Sequence, residues 1–352
     1  MRAEFFLFHA FIVYKEKILF MNNFENYLNE MDLKTGNIMY HADILKEKRF
    51  SWQETEEMFI WNKKIYLIEN NGSRMAEYNP VADITSYIEL GLESFGWGNY
   101  AAVIPVGDAV YLVHAYLGVI LKVNLYSKQV EGYAIDKTAD VRKRNFLCAC
   151  LDRELIWIVT SQNILYRFNI LDKSIESFPL LLKDEHIADI VAEGDELWLL
   201  EDRGNVYRWD KRENKMERYL KNEELSPEAL YGKLIVLNKK MWILPYIAND
   251  ILIVDRERKF VTKYTDYPPE FCYYRTKPYT RYSKLKQNEE FCVVGMFSAN
   301  HLLLIAKDSG EARWIKPQMP SVDSVIEFNK KTSQDIIMEN VLTLENFIEM
   351  II

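Results

Sequence analysis

The phrase Asn62-Lys-Lys-Ile-Tyr-Leu-Ile returns almost unchanged 176 residues later as Asn238-Lys-Lys-Met-Trp-Ile-Leu. The same phrase can be followed seven times along the chain, as EKILFM around Ile18, KKIYLI around Ile65, DAVYLV around Val110, ELIWIV around Ile156, DELWLL around Leu197, KKMWIL around Met241 and EEFCVV around Phe291. Successive copies lie 41 to 50 residues apart. A second phrase keeps pace about a dozen residues further on, with an Asn or Asp before a turn: Asp32, Asn79, Asn124, Asn169, Asp210, Asp255 and Asp308. Two phrases locked at one period define a repeat, and a repeat constrains the fold more than any single motif.

Each unit reads as four short strands. In the third unit they are AAVIPV, AVYLVH, VILKVN and QVEGYAI, and in the fifth IADIVA, ELWLLE, NVYRWD and KMERYL. These runs are rich in β-branched and aromatic residues and bounded by turn formers such as Gly107-Asp108 and Gly194-Asp195. No helix of ordinary length fits between them. The second strand is apolar at consecutive positions, as expected for a strand covered on both faces. Aromatic residues recur in it at Tyr66, Tyr111, Trp157, Trp198 and Trp242, which predicts packing between neighbouring units.

A period near 45 residues with four strands per unit resembles the seven-bladed β-propeller repeat proteins over residues 8 to 317. The resemblance stops at the architecture: the Gly-His and Trp-Asp dipeptides of the WD-repeat family and the double glycine of Kelch blades are absent. It implies an all-β fold of four-stranded blades near residues 9–46, 58–90, 101–135, 146–180, 187–220, 231–267 and 279–317. Propellers often complete the last blade with a strand from the N-terminus; here AEFFLF or SVIEF could serve. Residues 318–352 form a separate tail whose end carries Leu344, Phe347, Ile348 and Ile351 at helical spacing, with Thr343 as a candidate N-cap. Such a short helix would cover the propeller or dock on a partner.

Composition limits the function classes. The chain has 352 residues and a net charge of −8, so its overall field repels duplex nucleic acid and anionic membrane. Only 13 Gly stand against 22 Tyr and 8 Trp, so aromatic packing is expected to replace glycine-based tightness. Cys148, Cys150, Cys272 and Cys292 show no metal-ligand or disulfide spacing and read as reduced thiols in or near the core. The apolar start is interrupted by Glu4 and His9 and lacks a cleavage site, so a cytoplasmic protein is expected. The five His are scattered over different units; with no third ligand beside His114 and His301, no metal and no cofactor is expected.

Within a blade, the connections between strands two and three and from strand four to the next blade emerge at one edge. The other connections are tight charged turns, read as a solvated face. The first edge carries the long connections 45–57, 91–100, 136–146, 221–230 and 266–286. They bring Arg and aromatic residues together at Arg49, Phe50 and Trp52; Phe95, Trp97 and Tyr100; Arg142, Arg144 and Phe146; and Tyr273, Tyr274, Arg275, Tyr279, Arg281 and Tyr282. Between Phe271 and Gln287 there is no acid and there are five Lys or Arg. Planar cations beside aromatic faces suit peptides, sugars and phosphates alike. The first expectation is therefore a non-enzymatic scaffold whose loop-rich rim binds a protein or peptide through Arg49, Trp52, Trp97, Tyr100, Arg142, Arg144, Tyr273, Tyr274, Arg275, Tyr279 and Arg281. The alternatives are a carbohydrate-binding or carbohydrate-processing protein, with Asp189 as a channel acid, and a binder of single-stranded nucleic acid or another polyanion.

Overall fold

The computed structural model of the chain describes residues 8–22, 27–44, 55–69, 73–92, 98–183, 185–221, 229–271, 284–295 and 300–318. They form seven four-stranded antiparallel sheets, each meandering in sequence order, and the chain is a seven-bladed β-propeller. The blades span 8–43, 55–89, 100–134, 146–179, 187–220, 231–263 and 284–315. All described strands belong to these blades, and no helix occurs among the described residues; the tail helix expected over 344–351 lies outside them. Among the described residues no helix is long and apolar enough to cross a membrane.

The chain divides into two compact units. One comprises 1–67, 76–86 and 267–352, with blades one and seven and much of blade two; the other comprises 68–75 and 87–266, with blades three to six and the rest of blade two. Within the second unit the core repeats with the blades. The second strands are buried along nearly their whole length, as in Ala109–His114 and Leu155–Thr160. Tyr111 packs with Phe146, Ile156 and Phe168 of blade four, Trp157 with Ile190 and Leu199 of blade five, and Trp198 with Leu234, Met241 and Ile243 of blade six. At these three positions the aromatic column of the sequence is thus the packing between consecutive blades. Burying one such side chain stabilises by roughly 2–3 kcal/mol.

The second phrase of the repeat is a side-chain-capped turn between strands three and four. The Asp32, Asn79, Asn124, Asp210 and Asp255 carbonyl or carboxylate oxygens each accept backbone N–H groups two and three residues on, and Asn169 accepts that of Leu171. The residue four positions after each has positive φ: Gly36, Asp83, Lys128, Lys173, Asn214 and Lys259. In blade seven Gly310 holds that place, and its N–H donates to Ala306 just as Gly36 donates to Asp32. Ala306, not Asp308, therefore occupies the equivalent position there; among the described residues Asp308 accepts from its neighbour Ser309 N–H at 2.7 Å.

Glycine is also spared in the turns. Left-handed turn positions that glycine would fill without strain are occupied by Lys15, Asn62, Lys63, Asp83, Lys128, Arg153, Lys173, Asn214 and Lys259 among others.

In the first unit, blades one and seven share a cluster in which Phe11, Ile18, Phe20 and Met31 meet Val293, Leu302, Leu304 and Ile315. Among the described residues each of these blades draws its four strands from its own repeat, 284–315 for blade seven and 8–43 for blade one; SVIEF, and AEFFLF save Phe8, lie outside the described residues. The two are tied instead by the residues after the last strand. Asn37 and Gln318 form a parallel bridge, Gln318 N–H donates to Gly36 O at 2.8 Å, and the Gln318 amide donates to Thr35 O at 3.1 Å.

Candidate functional site

In blades two to five the second strand ends in a polar residue with a local task. Glu69 accepts from Arg74 Nε at 2.6 Å, Thr160 Oγ1 from Ile164 N–H at 3.0 Å, and Glu201 from the Asn205 amide at 2.8 Å. His114, fully buried, accepts through Nδ1 from the N–H groups of Tyr116 and Leu117, both at 3.2 Å. Two donors on Nδ1 place the ring proton on Nε2, and burial pushes the His114 pKa down to about 4. Glu201 is driven the other way, to about 7, by burial and then by the adjacent Asp202 side chain. The signal for these caps was present as a polar column closing an apolar strand, but only the folded turn shows what it holds.

The turn that His114 caps supports one of the long connections. Gly118, at φ +65°, accepts at its carbonyl from the N–H groups of Ile135 and Asp136, at 2.9 and 3.0 Å. An added Cβ there would lie 2.5 Å from Asp136 O, so glycine is required for this approach. At the far end, the N–H groups of Asn145 and Phe146 both donate to Ala115 O. The buried Asn145 amide nitrogen lies 2.6, 2.9 and 3.1 Å from the carbonyl oxygens of Tyr116, Asp140 and Lys143. Inside the loop, Asp136 accepts from Thr138 N–H and Oγ1, and Lys143 N–H donates to Asp140 O.

This pinned loop presents Lys137, Val141, Arg142, Lys143 and Arg144 to solvent. Arg142 is 85% exposed and grips the Asp140 carboxylate through Nε at 3.0 Å and Nη2 at 3.2 Å. The hydrogen bond from the Arg142 side chain, joined by its N–H, holds the Asp140 carboxyl below the usual range. Arg144 donates weakly to Phe146 O at 3.4 Å, and its guanidinium lies over the Cβ-less face of Gly98. The connections ending at Asn99 and at Asn145 therefore meet.

Of the eleven residues expected at the rim, Arg142 and Arg144 are thus placed together. Tyr100 opens the inner strand Tyr100–Val106 and is buried, its ring edge-on to His114 with centroids 5.4 Å apart; it supports the loop from beneath. Arg49, Trp52, Trp97, Tyr273, Tyr274, Arg275, Tyr279 and Arg281 lie outside the described residues. The described start of the last long connection packs aromatic rings against blade seven: Phe271 lies 4.5 Å from Trp314 and 6.0 Å from His301 between centroids, with Tyr267 alongside at 4.9 Å.

The inner-strand acids are committed to cations. Asp189 is buried and meets Lys233 Nζ at 2.6 Å and Leu234 N–H at 2.9 Å, so it is a tie between the inner strands of blades five and six and not an open carboxylate. In the first unit Glu57 meets Lys286 at 2.6 Å and Lys284 at 3.9 Å; burial pushes its carboxyl up, but the two ammonium groups outweigh this and leave it lowered. Burial raises the thiols of Cys148 and Cys150, the latter to about 12, and keeps them protonated. No group of three or more metal-ligating side chains occurs among the described residues.

The opposite edge is not a plain charged face. Arg256 is largely buried, forks onto Glu193 at 2.6 and 2.8 Å and covers the Trp198 ring at 5.0 Å. Lys211 reaches Asp152 at 2.6 Å. In blades three and four the same turns expose Tyr126 and Leu171, at 69% and 74%.

No protein-family model matches the sequence, and no curated protein matches it. Solved structures share the fold at low identity. The chain is similar to PorZ, an essential bacterial surface component of the type-IX secretion system of Porphyromonas gingivalis, at TM-score 0.56 and 12% identity, over 91% of this chain and 39% of that one. It is similar to the extracellular domain of a putative hybrid two-component system from B. thetaiotaomicron at TM-score 0.58 and 13% identity, over 90% of this chain and 41% of that one. The computationally designed Ika8 protein matches at TM-score 0.55 and 10% identity, over 97% of its own length. The chain thus spans about two-fifths of the length of the two natural proteins, and these likenesses speak for the fold alone.

Proposed function

We propose that the protein is a non-enzymatic binding module that engages a protein or peptide through the edge carrying its long inter-blade connections. The observation that supports this reading is the loop 136–146, in which buried groups fix the backbone while six side chains, four of them cationic, face solvent. A loop held this firmly loses little entropy on binding, and loops on rigid scaffolds commonly carry recognition. Arg142 and Arg144 contribute little to the loop's own hold, because the Arg142–Asp140 pair is exposed and the Arg144 hydrogen bond is long, so both guanidinium groups can turn to a partner without unfolding the loop.

The test is capture from native lysate with the whole chain as bait, comparing wild type with Arg142→Ala/Arg144→Ala and with Arg153→Ala on the opposite edge. A protein retained by wild type and Arg153→Ala but lost from the double variant is expected. Captured material that is glycan or nucleic acid, or a partner indifferent to the double variant, would refute the reading.

A further inference from the structure

We infer that the ligand of the loop 136–146 is an acidic peptide segment, and that Asp140 occupies in the free protein the place that a ligand carboxylate takes in the complex. This rests on the binding role proposed above and adds the chemistry of the partner and the residue that regulates its access.

The geometry supplies the argument. A guanidinium fork and a carboxylate recognise each other through two parallel N–H···O bonds. Arg142 makes that pairing with Asp140, two residues away on the same loop, through Nε to Oδ1 at 3.0 Å and Nη2 to Oδ2 at 3.2 Å. The pair is solvent-exposed, 85% on the arginine side and 34% on the aspartate side, so its net strength is small and a competing carboxylate can replace it. The loop backbone survives such an exchange. It is held by Asn145 and by the carbonyl oxygens of Ala115 and Gly118, and Lys143 N–H bonds the Asp140 carbonyl, not its side chain.

The surroundings select an acidic partner. The exposed cations Lys137, Arg142, Lys143 and Arg144 face one partly exposed acid, Asp140, on a chain of net charge −8. An approaching acidic segment is repelled by the molecule as a whole and attracted here, which gives register as well as affinity. Arg144, lying over Gly98, sets a second guanidinium beside the neighbouring connection. Val141, 46% exposed between Asp140 and Arg142, adds an apolar contact suited to a side chain of a peptide. A bare polyphosphate backbone has no group to match it.

The experiment measures binding of a fluorescein-labelled ten-residue polyglutamate to the full chain at low salt by anisotropy, with decaglutamine and a ten-nucleotide oligo-dT as comparison probes. Asp140→Asn keeps the Oδ1 that accepts Arg142 N–H at 3.1 Å but loses the charge that competes with the ligand. It is expected to tighten polyglutamate binding roughly threefold to tenfold, whereas Arg142→Ala/Arg144→Ala weakens it roughly tenfold or more. Arg153→Ala leaves it unchanged, and decaglutamine does not bind. Unchanged melting of each variant by circular dichroism shows that the loop is still built. Weaker or equal binding by Asp140→Asn overturns the exchange, and tighter binding of oligo-dT than of polyglutamate overturns the peptide assignment. If the double variant loses its captured partner while polyglutamate binds no form of the protein, the acidic-peptide inference fails and the binding role stands.

Discussion

The Asp189 carboxylate receives both the Lys233 ammonium, at 2.6 Å, and the backbone N–H of Leu234, at 2.9 Å, and so joins the inner strand Ile187–Glu193 to the next inner strand Tyr231–Val236. A buried acceptor that satisfies a charge and an amide is costly to remove. Asp189→Ala is expected to destabilise the protein by about 3 kcal/mol, read by urea denaturation, and Asp189→Asn by less, because an amide oxygen still meets Leu234 N–H. A neutral result for Asp189→Ala would mean that the tie carries no stability.

Arg256 and Trp198 supply a second test of inter-blade cohesion. Trp198→Ala removes a ring with 2% exposure from the contact between blades five and six and should cost about 3–5 kcal/mol. Arg256→Ala should cost about 1–2 kcal/mol, since its partner Glu193 is partly solvated. In a double-mutant cycle the two losses should fall short of additivity, because the guanidinium lies on the ring and Glu193 also accepts Trp198 Nε1–H at 3.0 Å.

Gly36 tests the tie between the first and last blades. Its φ is +75°, and a Cβ would collide with the carbonyl oxygen of Lys316. Gly36→Ala is therefore expected to lower stability by about 1–3 kcal/mol. Gly107→Ala, at φ +60° with open space around it, isolates the backbone strain and should cost about 1 kcal/mol.

Stability should depend on pH through two buried caps of opposite sense. His114 titrates near 6.5 unfolded and at about 4 folded, so the unfolded chain binds the extra proton between them and stability falls as pH drops from 6.5 towards 4, by up to about 3 kcal/mol. Glu201 ionises at about 4.5 unfolded and about 7 folded, so its contribution is complete below 4.5 and is lost as pH rises through 7. The two windows overlap, so the opposing contributions nearly cancel in the wild type between pH 4.5 and 6.5; denaturation midpoints measured from pH 4 to 8 should fall with rising pH in His114→Asn, where only Glu201 acts, and rise over pH 4 to 6.5 in Glu201→Gln, where only His114 acts. Unaltered slopes would show that these groups titrate normally.

Arg153 sits in a left-handed turn, at φ 57°, with its side chain exposed. Arg153→Gly relieves that strain and is expected to stabilise by about 0.5–1 kcal/mol, less whatever the greater freedom of glycine adds to the unfolded chain. The melting temperature should rise, and a fall would mean that the strain at Arg153 is smaller than the freedom glycine adds to the unfolded chain.

The blades were legible in the sequence because everything that defines them is local. Four strands per unit and the capped turns at Asp32 to Asp255 rest on contacts within about a dozen residues, and such contacts leave a periodic trace. Tertiary structure decided whatever depends on a neighbouring blade. Asp189 looked like a free acid until Lys233 was placed against it, and Arg256 like a surface charge until Glu193 and Trp198 enclosed it. Ala306 replaced Asp308 at the seventh capped turn because backbone hydrogen bonding, not side-chain chemistry, fixes that position. Arg142 and Arg144 were visible as residues, but their rigid display was not. It comes from the buried His114, the Cβ-less Gly118 and the Asn145 amide, whose partners lie up to 29 residues away along the chain and are brought within hydrogen-bonding reach only by the fold.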